Sequence, residues 1–189
     1  MTIAETDGRR AIGARNREAI LEAALAVIQN DPDAGMNEIA DGAKVGRATL
    51  YRHFPTREDL LTALRQRARQ QGKEAMLAAN PDEGDPIEAL ERIVAALIEV
   101  GYRNRVLFGP DVSRPDLAKR EEHFEPIART FERAQREGVI STDFTVTWLT
   151  NALRMLLGAA RAEFKAGRLA REDGPALIVR QLVEGARKR

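Results

Sequence analysis

Apolar residues recur at helical spacing through most of the chain. Ile20, Leu21, Ala24, Leu25 and Ile28 line one face and predict a first helix running from about Arg15 to Gln29 and halted near Asn30-Asp31-Pro32. Residues 1–8, ahead of it, are polar and read as a disordered arm, and Arg9, Arg10, Arg15 and Arg17 follow. Ile39, Ala40 and Ala43 make a short second face, which the run Ala43-Lys44-Val45-Gly46 interrupts. Leu50 and Phe54 then sit four apart on a third short helix, with Gly46 at its N-cap and Pro55 ending it. Thr56, with Asp59 three residues on, caps a fourth helix carrying Leu60, Leu61 and Leu64, which turns polar through Arg65, Arg67, Arg69 and Lys73 and ends near Ala79.

The run Asn80-Pro81-Asp82-Glu83-Gly84-Asp85-Pro86 reads as a linker, so the chain divides into domains at 1–79 and 80–189. Ile87, Leu90, Val94, Leu97 and Ile98 predict a fifth helix, and residues 102–108 a short sixth ending at Gly109-Pro110. Ser113 and Asp116 cap a seventh, in which Leu117, Phe124 and Phe131 recur every seven positions before Gly138 stops it. Val146, Leu149, Leu153, Leu156, Leu157, Ala160 and Phe164 mark an eighth, its stripe widened by Trp148, Ala152, Met155 and Ala159. Leu177, Ile178, Leu182 and Val183 place the last helix between Pro175 and about Ala186. No segment alternates with period two, so the fold class is all-α, with about nine helices.

Composition narrows this little. A chain of 189 residues can bury a real core. The absence of cysteine removes disulfides, thiolate metal sites and a cysteine nucleophile, and fits a reducing compartment. No apolar run approaches the roughly 20 residues of a membrane span, so the expectation is a soluble cytoplasmic protein. The formal net charge is only +1, which supplies no global attraction to nucleic acid. Charge is instead local: between Lys44 and Arg57 stand Lys44, Arg47, Arg52 and Arg57 with no acidic residue, while Asp41, Glu58 and Asp59 lie just outside.

Two short helices across a three- or four-residue turn form a helix-turn-helix. On its second helix, Arg47, Ala48, Thr49, Tyr51 and His53 point away from Leu50 and Phe54, offering donors and small side chains to a major groove. The run IADGAKVGRATLYRHFPTREDLL, and above all Thr-Leu-Tyr-Arg-His-Phe at positions 49–54, resembles the DNA-binding domain of the TetR family of bacterial transcriptional regulators. Lys44 departs from that pattern where a turn glycine is usual, and Gly46 where a serine cap is usual. The resemblance implies base-reading roles for Asn37, Arg47 and Ala48, and phosphate-contacting or groove-facing roles for Thr49, Tyr51, His53 and Arg57. The chemistry agrees: Arg47 can reach guanine O6 and N7, Ala48 a thymine methyl, and the Tyr51 hydroxyl a phosphate. Lys44 is added as a phosphate contact from its charge and place in the turn.

For residues 80–189 the resemblance implies a variable ligand-binding and dimerisation domain, whose last two helices pair with those of a second copy. Leu149, Leu153, Leu156, Ala160, Leu177, Ile178 and Leu182 are the expected dimer face, helped by small residues at 158–160. A pocket between Ile87 and Phe164 is expected to be lined by Leu97, Tyr102, Phe108, Phe124, Phe131, Trp148 and Met155, with Arg154 anchoring an acidic group.

Catalysis finds no foothold. His53 and His123 stand in no metal-binding spacing, no nucleophile elbow or phosphate-binding glycine loop occurs, and Glu121, Glu122 and Glu125 lie among Lys119, Arg120 and Arg129 as an ion-paired helix face. Neither cofactor nor metal is expected. The partners expected are a double-stranded DNA operator, an unidentified small-molecule effector and a second copy of the chain. Together these describe a ligand-responsive repressor on a palindromic operator; an activator of the same fold, or an all-helical interaction protein that binds no operator, are the alternatives.

Overall fold

The computed structural model describes residues 3–107 and 124–186. Among them are eight α-helices and no strand: α1 (Ile3–Asn30), α2 (Met36–Gly42), α3 (Arg47–His53), α4 (Arg57–Ala78), α5 (Pro86–Arg103), α6 (Glu125–Arg136), α7 (Val146–Lys165) and α8 (Gly174–Ala186), with a single 3-10 turn at Arg105–Leu107. The all-α class holds. Two elements differ from expectation. First, α1 begins at Ile3 instead of near Arg15: residues 3–14 contain no proline, and their three alanines and two arginines favour a helix enough to carry it past Gly8 and Gly13 and beyond its apolar face. Second, the sixth helix expected at 102–108 is not separate: α5 continues to Arg103 and only the 3-10 turn follows. Gly101 costs the helix about 1 kcal/mol relative to alanine without breaking it. Phe108, the cap at Ser113 and Asp116, Leu117, and His123 with Glu121 and Glu122 lie outside the described residues.

The chain forms two compact units, one of residues up to 67 with 104–107, the other of 68–103 with 124–186. In the first, Ile20, Leu21, Ala24 and Ile28 of α1, Met36, Ile39 and Ala40 of α2, Leu50 and Phe54 at α3, and Leu60, Ala63 and Leu64 of α4 are buried. Burial of such side chains contributes about 1.5–3 kcal/mol each, which short helices lack in isolation. Helix α2 lies so close to α1 that a Cβ on Gly42 would come within 2.7 Å of Val27 Cγ2. On the outside, Arg67 of α4 pairs with Glu18 and Glu22 of α1.

In the second unit, α5 packs against α6, α7 and α8. Its core takes Met76 from α4, Leu90, Ile93, Val94 and Ile98 from α5, Ile127 and Phe131 from α6, Leu149 and Leu153 from α7, and Ile178, Val179, Leu182 and Val183 from α8. The proline- and glycine-rich run at 80–85 is tied down within this unit. Arg92 donates to the carbonyls of Ala79, Asn80 and Glu83 at 3.0, 3.1 and 2.8 Å, and Arg133 donates to those of Gly84 and Pro81 at 2.5 and 3.2 Å. Asp85 then caps α5, accepting from Ile87 and Glu88 N–H at 2.8 and 3.2 Å.

Candidate nucleic-acid interface

The turn between α2 and α3 is built from backbone hydrogen bonds. Val45 N–H donates to Ala40 O at 3.0 Å and Lys44 N–H to Asp41 O at 3.1 Å, the pair that closes a helix when the residue after its C-cap turns left-handed. That residue is Lys44, at φ 55°. Glycine adopts this conformation freely, whereas an L side chain there costs about 1–2 kcal/mol. Lys44 therefore keeps the turn geometry while placing an exposed ammonium where glycine offers none.

Gly46, in extended conformation, precedes α3 and provides no side-chain cap. Leu50 and Phe54 anchor the helix inward, both essentially inaccessible to water. That leaves Arg47, Ala48, Tyr51 and Arg52 exposed, with Thr49 and His53 half-buried. Asn37 is exposed on the first turn of α2. Arg17 of α1 stacks over the Phe54 ring at 5.1 Å, bracing the end of α3. The expected box at α4 is present: the Thr56 hydroxyl accepts from Asp59 N–H at 3.1 Å, while Asp59 Oδ2 accepts from Thr56 N–H at 3.1 Å and from its hydroxyl at 2.6 Å.

Two of the charged candidates are engaged within the chain. Arg57 is half-buried and donates through Nε to Ala34 O at 3.0 Å and through an Nη to Pro32 O at 2.5 Å, so it braces the α1–α2 loop. Arg47 donates to Asp41 Oδ2 at 2.9 Å. The contacts of Arg17 with Phe54 and of Asp41 with Arg47 are not evident from the sequence, where both residues stand only as flanking charge. The signal for Asp41 was its place just before the basic run, which the turn folds back toward Arg47.

The residues expected around a pocket do not share one environment. Phe131 is fully buried in the core of the second unit. Leu97 and Phe124 are half-buried, and the Arg154 guanidinium lies 4.9 Å from the Phe124 ring centre while donating to Asn151. Tyr102 is exposed beneath the Arg171 guanidinium at 3.9 Å. Trp148 and Met155 are 52% and 72% exposed and face outward, Trp148 stacking on Phe144 at 4.9 Å. Phe108 lies outside the described residues. Of the expected dimer face, Leu149, Leu153, Ala160, Ile178 and Leu182 are buried in the unit's own core, Leu156 is half-buried, and Leu177 alone of the set is exposed. The physical reason is angular. Adjacent residues on a helix diverge by about 100°, so the core claims the Leu149 face of α7 and turns Trp148 and Met155 outward.

Among the described residues no group of three or more His, Asp or Glu side chains is placed to hold a metal, and no helix is long and apolar enough to cross a membrane.

Comparison with known proteins agrees with this geometry. The family model described as bacterial regulatory proteins, tetR family, matches residues 20–64. The HTH-type transcriptional repressor LfrR of Mycolicibacterium smegmatis is 35% identical over 106 residues, 52% of this chain and 56% of that repressor. The chain thus aligns with little more than half the length of that relative. The HTH-type transcriptional regulator NfxB of Pseudomonas aeruginosa is 26% identical over 177 residues, 89% of this chain and 93% of NfxB. The crystal structure of LfrR from Mycobacterium smegmatis in complex with proflavine superposes with a TM-score of 0.71 at 29% identity, covering 93% of this chain and 99% of that one. The helix-turn-helix thus lies within the stretch, residues 20–64, that matches the tetR family of bacterial regulatory proteins, and the helical fold is similar along nearly the whole chain to that of the TetR-like regulator LfrR.

Proposed function

We propose that the chain is a cytoplasmic, non-enzymatic transcriptional repressor that binds a palindromic operator as a homodimer and is released by a small molecule. The observation that carries this proposal is the outer surface of α3. Arg47, Ala48 and Tyr51 stand exposed on a helix locked inward by Leu50 and Phe54, directly after a turn that presents Lys44. In this proposal Asn37, Arg47 and Ala48 read bases, Lys44, Thr49, Tyr51 and His53 meet the phosphate backbone or the groove wall, and Arg57, engaged with the Ala34 and Pro32 carbonyls, supports the interface from behind. Residues 1–79 serve DNA and residues 80–189 serve effector and dimer. Support for an effector comes from LfrR, a repressor whose structure holds proflavine; the Phe124–Arg154 pair is the proposed polar anchor. Support for pairing comes from the outward residues Trp148, Met155 and Leu177 on α7 and α8. An effector that binds a DNA-incompetent state more tightly shifts the population by its differential affinity, about 1–3 kcal/mol in typical switches.

The test is selection of bound duplexes from a random pool, followed by titration at two salt concentrations. The expected result is an enriched palindromic site whose affinity falls with salt. Arg47→Ala should cost about 1–3 kcal/mol on that site and relax selectivity at one base pair. Recovery of no enriched sequence would overturn the proposal.

A further inference from the structure

The acidic residue nearest the recognition surface is not spare charge. Helix α2 carries two acidic side chains, Glu38 and Asp41. Glu38 is committed to its own helix, its carboxylate accepting Gly35 N–H at 2.6 Å. Asp41 instead crosses the turn, its Oδ2 accepting from Arg47 Nη2 at 2.9 Å. The anchor point is held in place: Asp41 O accepts Lys44 N–H at 3.1 Å, and the neighbouring Gly42 sits against Val27 with no room for a Cβ. Arg47, by contrast, occupies the first position of α3 with a side chain 59% exposed, and left alone it would sample many rotamers.

We propose that Asp41 is a positioning residue for base recognition, holding the Arg47 guanidinium toward the groove and penalising non-specific engagement of phosphate. This rests on the DNA-binding function proposed above. The contact uses one hydrogen of Nη2, so one two-donor edge of the guanidinium, Nη1/Nη2 or Nε/Nη2, still faces outward for guanine O6 and N7. Orientation is thereby set before DNA arrives, and less side-chain entropy is lost on binding. The second effect is electrostatic. A carboxylate 65% exposed beside the basic run repels phosphate wherever the base edge does not compensate. The site is thus tuned for selectivity at the expense of raw affinity.

The experiment compares wild type, Asp41→Asn, Asp41→Ala, Arg47→Ala and the Asp41→Ala/Arg47→Ala double variant. Each is titrated with the duplex selected by the wild-type chain and with a scrambled duplex of equal length and composition. Thermal melting checks folding, which an exposed ion pair leaves nearly unchanged. Both single Asp41 variants should bind the scrambled duplex more tightly, and Asp41→Ala should lower the selected-to-scrambled affinity ratio about two- to fivefold. In the Arg47→Ala background, removal of Asp41 should leave that ratio where it is. A ratio unmoved by Asp41→Ala, or moved equally with and without Arg47, would overturn the positioning role while the proposed function stands. A wild-type chain that does not distinguish the two duplexes would overturn both.

Discussion

Lys44 shows how much one residue can carry. Its backbone does a glycine's work at φ 55° and its side chain does something no glycine can. Substitution separates the two. Lys44→Gly removes left-handed strain of about 1–2 kcal/mol and adds back roughly 0.5–1 kcal/mol of unfolded-chain entropy, so denaturant unfolding should find the variant at least as stable as wild type. Its salt dependence of DNA binding should become shallower by about one counterion, uniformly across sequences. A less stable variant with an unchanged slope would refute both roles. Arg57 teaches a related lesson: its charge suggests phosphate, while its hydrogen bonds to Ala34 and Pro32 carbonyls make it a brace for the loop leading into α2.

Helix α2 is short, and its placement depends on how closely it approaches α1. Gly42 permits that approach, since a methyl there would meet Val27 Cγ2 at 2.7 Å. Gly42→Ala should therefore destabilise the chain by about 1–3 kcal/mol through overpacking, despite the better helix propensity of alanine. Adding Val27→Ala should return part of that loss, with a coupling of about 0.5 kcal/mol or more in a double-mutant cycle by thermal unfolding. Simple additivity would show that the contact is relieved by other means. At α3 the same logic runs in reverse: the helix has no side-chain cap at Gly46 and only seven residues, so its position depends on Leu50, on Phe54 and on the Arg17 guanidinium over the Phe54 ring.

At the scale of the molecule the question is which apolar residues hold one chain together and which are left for the proposed pairing. Leu153 is wholly buried in the second unit and Met155, two residues on, is 72% exposed. Leu153→Ala should cost about 2–5 kcal/mol of folding stability. If α7 pairs as proposed, Met155→Glu should leave the helical circular-dichroism signal intact and shift sedimentation from the proposed dimer to monomer, because a carboxylate buried between copies lacks a partner. A Met155→Glu chain that sediments as wild type does would move the pairing face elsewhere.

Helical periodicity by itself determined the all-α class and most of the elements, because spacings such as Leu50–Phe54 and Val146–Leu149–Leu153 are local properties of the chain. The same holds for the helix-turn-helix, whose motif spans a few dozen contiguous residues, and for the cap at Thr56 and Asp59. A broad apolar stripe does not say which of its edges meets the core. For α7 that choice came from the packing of α5, α6 and α8, which took the Leu149 face and left Trp148 and Met155 outside. Likewise the polar run at 80–85 reads as a linker until Arg92 of the following helix and Arg133, far along the chain, are seen to claim its carbonyls. Asp41 belongs with them: beside a basic run it looks like a boundary, and only the fold of the turn makes it the partner of Arg47. Periodicity reports which residues share a face, whereas the partner of that face is set by contacts between segments far apart in the chain.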